Sequence, residues 1–123
     1  MKYTIPGEPR TKKNSSRIIK CGKGYRLIPS KAYTAYADVA GWHLRPKPRE
    51  PISNPVCVCC VYYMATRRRV DLVNLLEATC DILVQYGILA DDNSQIVVSH
   101  DGSRVRLDRK NPRVEITITE VRT

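Results

Sequence analysis

No apolar run in this sequence is long enough to cross a bilayer. The longest, Val56 to Ala65, is about half of the ~20 residues a spanning helix needs, so no membrane partner is expected. An apolar leader core is missing too, because residues 1–20 carry six basic side chains: Lys2, Arg10, Lys12, Lys13, Arg17 and Lys20. Structural zinc usually shows two pairs of C-x₂₋₄-C or H-x₃₋₅-H type, and the five cysteines and two histidines do not supply two, which disfavours it. An odd cysteine count without a leader points to reduced thiols and a cytoplasmic protein. The run Cys21-Gly22-Lys23-Gly24 lacks the other residues of a phosphate-binding loop and reads as a hairpin turn, so no nucleotide cofactor is expected. Repeats and low-complexity segments are absent.

Acidic residues are scarce in one half only. Residues 1–60 hold 12 bases and 3 acids, whereas residues 61–123 hold 9 of each, so the net charge of +9 belongs to the first half. Such a basic excess in a small protein favours a polyanion partner, with nucleic acid the commonest. The 123 residues, 42% apolar and 27% charged, suit one globular domain over residues 1–123 rather than a disordered tail.

Residues 1–5 read as a short strand stopped by Pro6-Gly7 and Pro9. After the basic loop Arg10 to Ser16, Arg17–Ile19 and Tyr25–Ile28 pair as a hairpin. Ser30 caps a helix to about Leu44, with Ala32, Tyr36, Val39 or Ala40, and His43 on one face. Tyr36 and Trp42 are expected in the core or at a dimer interface. The segment Arg45 to Pro55 holds four of the eight prolines and is a loop. Val56 to Ala65 reads as a central strand buried on both faces, with Cys57 and Cys59 on one side and Cys60 on the other. Arg67-Arg68-Arg69 follows. Asp71 then caps the clearest helix, whose stripe is Leu72, Leu75, Leu76, Thr79, Ile82, Leu83 and Tyr86, closed by Gly87. Beyond the acidic turn Asp91-Asp92-Asn93-Ser94, Gln95–His100 and Arg104–Asp108 suit a hairpin around Asp101-Gly102-Ser103. A final strand spans Arg113 to Val121. The fold class is α+β: a single small domain with a mixed β-sheet and two main helices.

Metal-assisted phosphodiester cleavage needs carboxylates converging on one point and cations to hold the backbone. Asp71, directly after three arginines, and Asp91-Asp92, just past the same helix, are the candidates. About 16 residues of helix separate them, so they meet only if the chain folds back. Each has a plainer use: Asp71 as a helix cap, Asp91-Asp92-Asn93 as a solvated turn. His100, beside Asp101, is a weaker candidate.

The run Arg67-Arg68-Arg69-Val70-Asp71-Leu72-Val73-Asn74-Leu75, then Asp81-Ile82-Leu83, then Gly87-Ile88-Leu89-Ala90-Asp91-Asp92, resembles the core signature of the RusA family of Holliday junction resolvases. The likeness continues through Ile96-Val97-Val98 to Val114–Thr119, and the Pro9 to Asn14 loop is similar to the family's N-terminal segment. It implies a homodimeric endodeoxyribonuclease, often prophage-borne, that uses Mg²⁺ or Mn²⁺ to nick a four-way DNA junction symmetrically. It implies catalytic roles for Asp71, Asp91 and Asp92, and DNA contact by Asn74 and Arg69. Lys12, Lys13, Asn14, Arg17, Arg67 and Arg68 are the other expected DNA-binding residues. Two positions depart from the family pattern: Val73 stands where it has a metal-binding aspartate, and Glu77 where it has an essential lysine. A rearranged metal site of Asp71, Glu77 and Asp92 is the expectation. The alternative is a junction-binding relative that is inactive or altered in substrate choice.

Overall fold

The computed structural model describes residues 1–12 and 16–122. Seven strands and two helices follow in the order β1 (Lys2–Pro6), β2 (Ser16–Cys21), β3 (Gly24–Pro29), α1 (Lys31–His43), β4 (Val56–Met64), α2 (Leu72–Gln85), β5 (Val97–Ser99), β6 (Arg104–Leu107) and β7 (Arg113–Glu120). The main sheet runs β1-β7-β4-β5, with β6 also on β4; β2 and β3 form a separate antiparallel hairpin. β7 is antiparallel to both of its neighbours, β1 and β4, whereas β5 and β6 lie parallel to β4. The α+β class and mixed sheet therefore match the expectation. No helix among the described residues is long and apolar enough to cross a membrane.

One face of the sheet forms the core. Tyr3 and Ile5 of β1, Val58, Cys60, Tyr62 and Met64 of β4, and Val114, Ile116 and Ile118 of β7 are buried together with residues of both helices. Strand alternation places every second residue on that face. β4 accordingly alternates buried with half-buried residues along its length, so it is covered on one face and not on both. Its run of valine, cysteine and tyrosine hides this alternation, because those side chains suit either face. Cys60 is buried and Cys57 and Cys59 half-buried, as the period of two requires.

In α1, Ser30 caps as expected, its Oγ accepting from the Tyr33 amide at 3.1 Å. The buried face is Tyr33, Ala37, Ala40 and Gly41, closed by Leu44, one residue on from the expected face. Leu44 is fully buried and fixes the phase; counting back from it by helical spacing gives 40, 37 and 33. His43 and Ala32 are exposed, Tyr36 packs at the edge of the core, and Trp42 is 71% exposed, which removes it from the core.

α2 follows its sequence pattern closely. The Asp71 Oδ1 accepts from the Val73 amide at 3.0 Å, and Gly87, at φ +79, ends the helix in the left-handed region that glycine tolerates best. A buried polar tie holds α2 to β4. The Tyr62 hydroxyl lies 2.7 Å from Thr79 Oγ1, which in turn donates to the Leu75 carbonyl at 2.9 Å.

The expected hairpin of Gln95–His100 with Arg104–Asp108 does not form. β5 and β6 are instead two successive pieces along the same edge of β4, interrupted by an outward excursion over residues 100–103. The Ser103 amide donates to the His100 carbonyl at 3.0 Å, and Gly102 takes φ +87, so the local turn is real. The chain leaves it in its original direction. Side chains satisfy the β4 groups opposite the excursion: Ser103 Oγ accepts from the Cys60 amide at 3.0 Å, and His100 Nδ1 sits 2.8 Å from the Val58 carbonyl.

Candidate active site

α2 presents different residues to different surroundings because successive positions turn by about 100°. Val73, Leu76, Glu77 and Cys80 recur at spacings of three and four and form one wall of an open pocket of about 370 Å³. Asp92 and His100 complete it. Around the helix, Asn74, Glu77, Ala78 and Asp81 line a small cleft with Lys12. At the helix N-terminus, Asp71 and Leu75 line a groove with Pro9, Arg10, Thr11, Arg68, Arg69 and Val70.

The acidic turn is brought to the helix by a long-range pairing. Ile52, in the proline-rich loop, forms a parallel bridge with Leu89. Its amide donates to the Ile88 carbonyl, and its carbonyl accepts from the Ala90 amide, each at 2.9 Å. The segment after α2 is thereby pinned before it turns. Within the turn, Asp91 accepts through Oδ1 from the Asp92 amide at 2.7 Å and through Oδ2 from Asn93 Nδ2 at 3.0 Å. These bonds hold its carboxyl below the usual range, the Asp92 amide contributing most. Asp91 is thus a turn organiser whose two oxygens are both engaged, and Asp92 is the turn residue that reaches the pocket.

Asp92 has the opposite electrostatics. Partial burial pushes its carboxyl up, and the negative charges of Asp81 and Asp91 add to the effect. The same negative field, after burial, raises the Cys80 thiol to about 12, so at neutral pH it is a neutral wall of the pocket and not a nucleophile. On the far wall, the carbonyl of Val58 can only accept. His100 Nδ1 must therefore carry a hydrogen and donate it to that carbonyl.

Glu77 and Asp92 are brought together in one pocket; Asp71 lines the neighbouring groove. Among the described residues, no group of three or more His, Cys, Asp or Glu side chains gathers into a metal-binding cluster. Val73 is 70% exposed on the pocket wall, an unusual place for valine and one that an aspartate would occupy without steric cost.

Of the expected DNA-binding residues, Arg67, Arg68 and Arg69 are exposed, and the last two line the Asp71 groove. Arg68 also pairs with Glu8 at 3.4 Å, an exposed contact that solvent screens. Lys12 pairs with Asp81 at 3.1 Å and lies over the Tyr33 ring at 5.7 Å. Asn74 shares that cleft. Lys13 and Asn14 lie outside the described residues, as does the side chain of Arg17, which belongs to β2. Sequence reasoning missed Arg10 and Thr11 in the groove, and Leu76 and Cys80 in the pocket. Arg10 was open to inference as the first base of the N-terminal loop; the pocket walls could have been found by stepping three and four residues from Val73.

A basic groove that ends on a carboxylate and a pocket holding two more thus share the same helix. The family model of endodeoxyribonuclease RusA matches residues 6–119. The chain belongs to the RusA endodeoxyribonuclease family. No curated protein matches it.

Proposed function

We propose that this protein is a Holliday junction resolvase that acts as a homodimer and introduces paired, symmetric nicks with Mg²⁺, or Mn²⁺, as cofactor. The observation that carries this reading is the adjacency on α2 of the Arg68–Arg69–Asp71 groove and the Glu77–Asp92 pocket. Arg10, Arg68 and Arg69 grip phosphates independently of sequence, which suits a substrate recognised by shape. A two-fold dimer presents two identical sites to a two-fold junction, and paired nicks follow from that symmetry.

The donor chemistry fits the cation. Mg²⁺ commonly takes only one or two protein carboxylates and fills its other positions with water and substrate phosphate oxygens. Glu77 and Asp92 are such a pair, and the crowding of negative charge around Asp92 is what a divalent cation relieves. When bound, the ion supplies positive charge to the scissile phosphate and a more acidic water. Asp71, one oxygen of which caps α2, lines the same groove as Arg68 and Arg69 and would face the backbone they hold. Asp91 keeps Asp92 presented. His100, which lines the same pocket, would take up a proton there.

A second reading, a junction binder without cleavage, is favoured by one observation: Val73 occupies the pocket wall where the resemblance implies an aspartate. The deciding experiment is cleavage of a labelled synthetic four-way junction in Mg²⁺ and in Mn²⁺, with a linear duplex as control. Symmetric nicks that fall at least about 100-fold in Asp92→Asn and in Glu77→Gln support the resolvase, since metal-derived stabilisation is worth several kcal/mol. Salt-sensitive junction binding without nicks in either metal supports the binder.

A further inference from the structure

A groove of about 460 Å³ lies between the C-terminal end of α1, the loop that follows it and the C-terminal end of α2. Its walls are Asp38, Gly41, Trp42, Arg45, Lys47 and Tyr86. None of these belongs to the pocket or the basic groove described above. Two aromatic faces each carry a cation: the Arg45 guanidinium stands 5.2 Å from the centre of the Trp42 ring, and the Lys47 ammonium 5.7 Å from that of Tyr86. The indole is largely open to water and available to a ligand.

The groove is also built, not accidental. The Tyr86 ring packs against Gly41, so closely that a methyl group at position 41 would collide with Tyr86 Cδ1, Cε1 and Cζ. The loop bearing Arg45 and Lys47 is tied down by the Tyr3 hydroxyl, which donates to the Pro46 carbonyl at 2.7 Å. An exposed, positioned aromatic flanked by arginine and lysine is the pattern that stacks a nucleobase while holding its phosphate.

We propose that the Trp42–Tyr86 groove binds an unpaired nucleotide of the branched DNA substrate, its base stacked on Trp42 and its phosphate held by Arg45 and Lys47. Asp38 accepts from the base edge and repels a second phosphate, which limits the site to one nucleotide. The inference rests on the reading of this protein as a DNA enzyme, but its site is separate from the cleavage pocket.

Trp42 is the only tryptophan in the chain, so its fluorescence reports on this groove alone. The intact protein is titrated with an oligothymidylate of about eight nucleotides, with a blunt duplex, and with a four-way junction. Quenching by the oligothymidylate and the junction but not by the blunt duplex is the expected result. Trp42→Ala should weaken binding of an end-labelled oligothymidylate, followed by anisotropy, by about 5- to 150-fold, the range of one stacked base. Arg45→Gln and Lys47→Gln, which leave the rings in place, should each weaken it less and flatten its salt dependence. Equal quenching by blunt duplex would overturn base stacking. Quenching that grows with protein concentration without DNA would assign the groove to a second copy of the chain and overturn the proposal. Junction nicking without any change at Trp42 would sink this inference and leave the resolvase standing; quenching without nicking would do the reverse.

Discussion

The hydrogen bond between Tyr62 and Thr79 has a direction that the structure fixes, and that direction sets an order of mutational costs. Thr79 Oγ1 has one hydrogen and gives it to the Leu75 carbonyl, so the Tyr62 hydroxyl must be the donor to Thr79. Tyr62→Phe removes the donor and leaves an oxygen that still has its own bond. The expected loss is about 1 kcal/mol, the net value of an ordinary buried hydrogen bond. Thr79→Val keeps the shape but orphans the tyrosine O–H in the core, where an unsatisfied donor costs ~1–3 kcal/mol. The Cys60 thiol, which also interacts with the Tyr62 hydroxyl, is a weak substitute partner and keeps this value short of the upper limit. The double variant removes both polar groups and should lose less than the two single losses added together. Urea unfolding followed by far-UV circular dichroism measures all three; Trp42 is too exposed to report on the core. A Tyr62→Phe loss equal to or larger than that of Thr79→Val would refute the assigned direction. The bond matters beyond stability, because it seats the helix that carries Val73 and Glu77.

Other outcomes follow from the same geometry. Burial pushes the thiols of Cys60 and Cys80 and the hydroxyl of Tyr33 up to about 12, from ordinary values of 9.0 and 10.0. The unfolded chain sheds these protons first, so stability should be intact below about pH 9 and fall progressively from there to about pH 12 in melts taken across that range; a flat profile would contradict the burial. Ser103→Ala leaves the Cys60 amide without its partner and should cost ~1–3 kcal/mol in the same unfolding assay, whereas Ser103→Thr, which keeps the hydroxyl, should cost less. Val73→Asp, at an exposed position, should change stability by no more than about 0.5 kcal/mol and should tighten Mg²⁺ binding by calorimetry; unchanged binding would count against the Glu77–Asp92 pocket as the cation site.

Local features were legible in the sequence where a single side chain or a period decides them. Ser30 and Asp71 begin their helices, Gly87 ends one, and β1, the β2–β3 hairpin and β7 follow from alternation and turn chemistry. What pairs with what was less legible. Alternation over 95–100 and 104–108 identifies strand-forming chain but not its partner, and Asp101-Gly102-Ser103 makes a turn whether or not the chain reverses. The phase of α1 slipped by one residue because the polar His43 stood in for Leu44, the residue that is buried. At the site, the pairing of Glu77 with Asp92 depends on the Ile52–Leu89 bridge, a contact between segments far apart in sequence that no local pattern encodes. The separation of Asp71 from Glu77 was implicit in their spacing, since six residues place them about 120° apart around the helix axis.

The excursion at residues 100–103 has a consequence for how this domain can change. β6 takes its register from four pairs of its own with β4, and β5 takes its register from the other end of that strand. The two pieces are therefore indexed separately. A residue gained or lost between His100 and Ser103 would alter what faces the pocket without sliding either piece along the sheet. The edge of the sheet thus works as an adjustable joint, in which the wall of the site varies while the frame behind it stays in place.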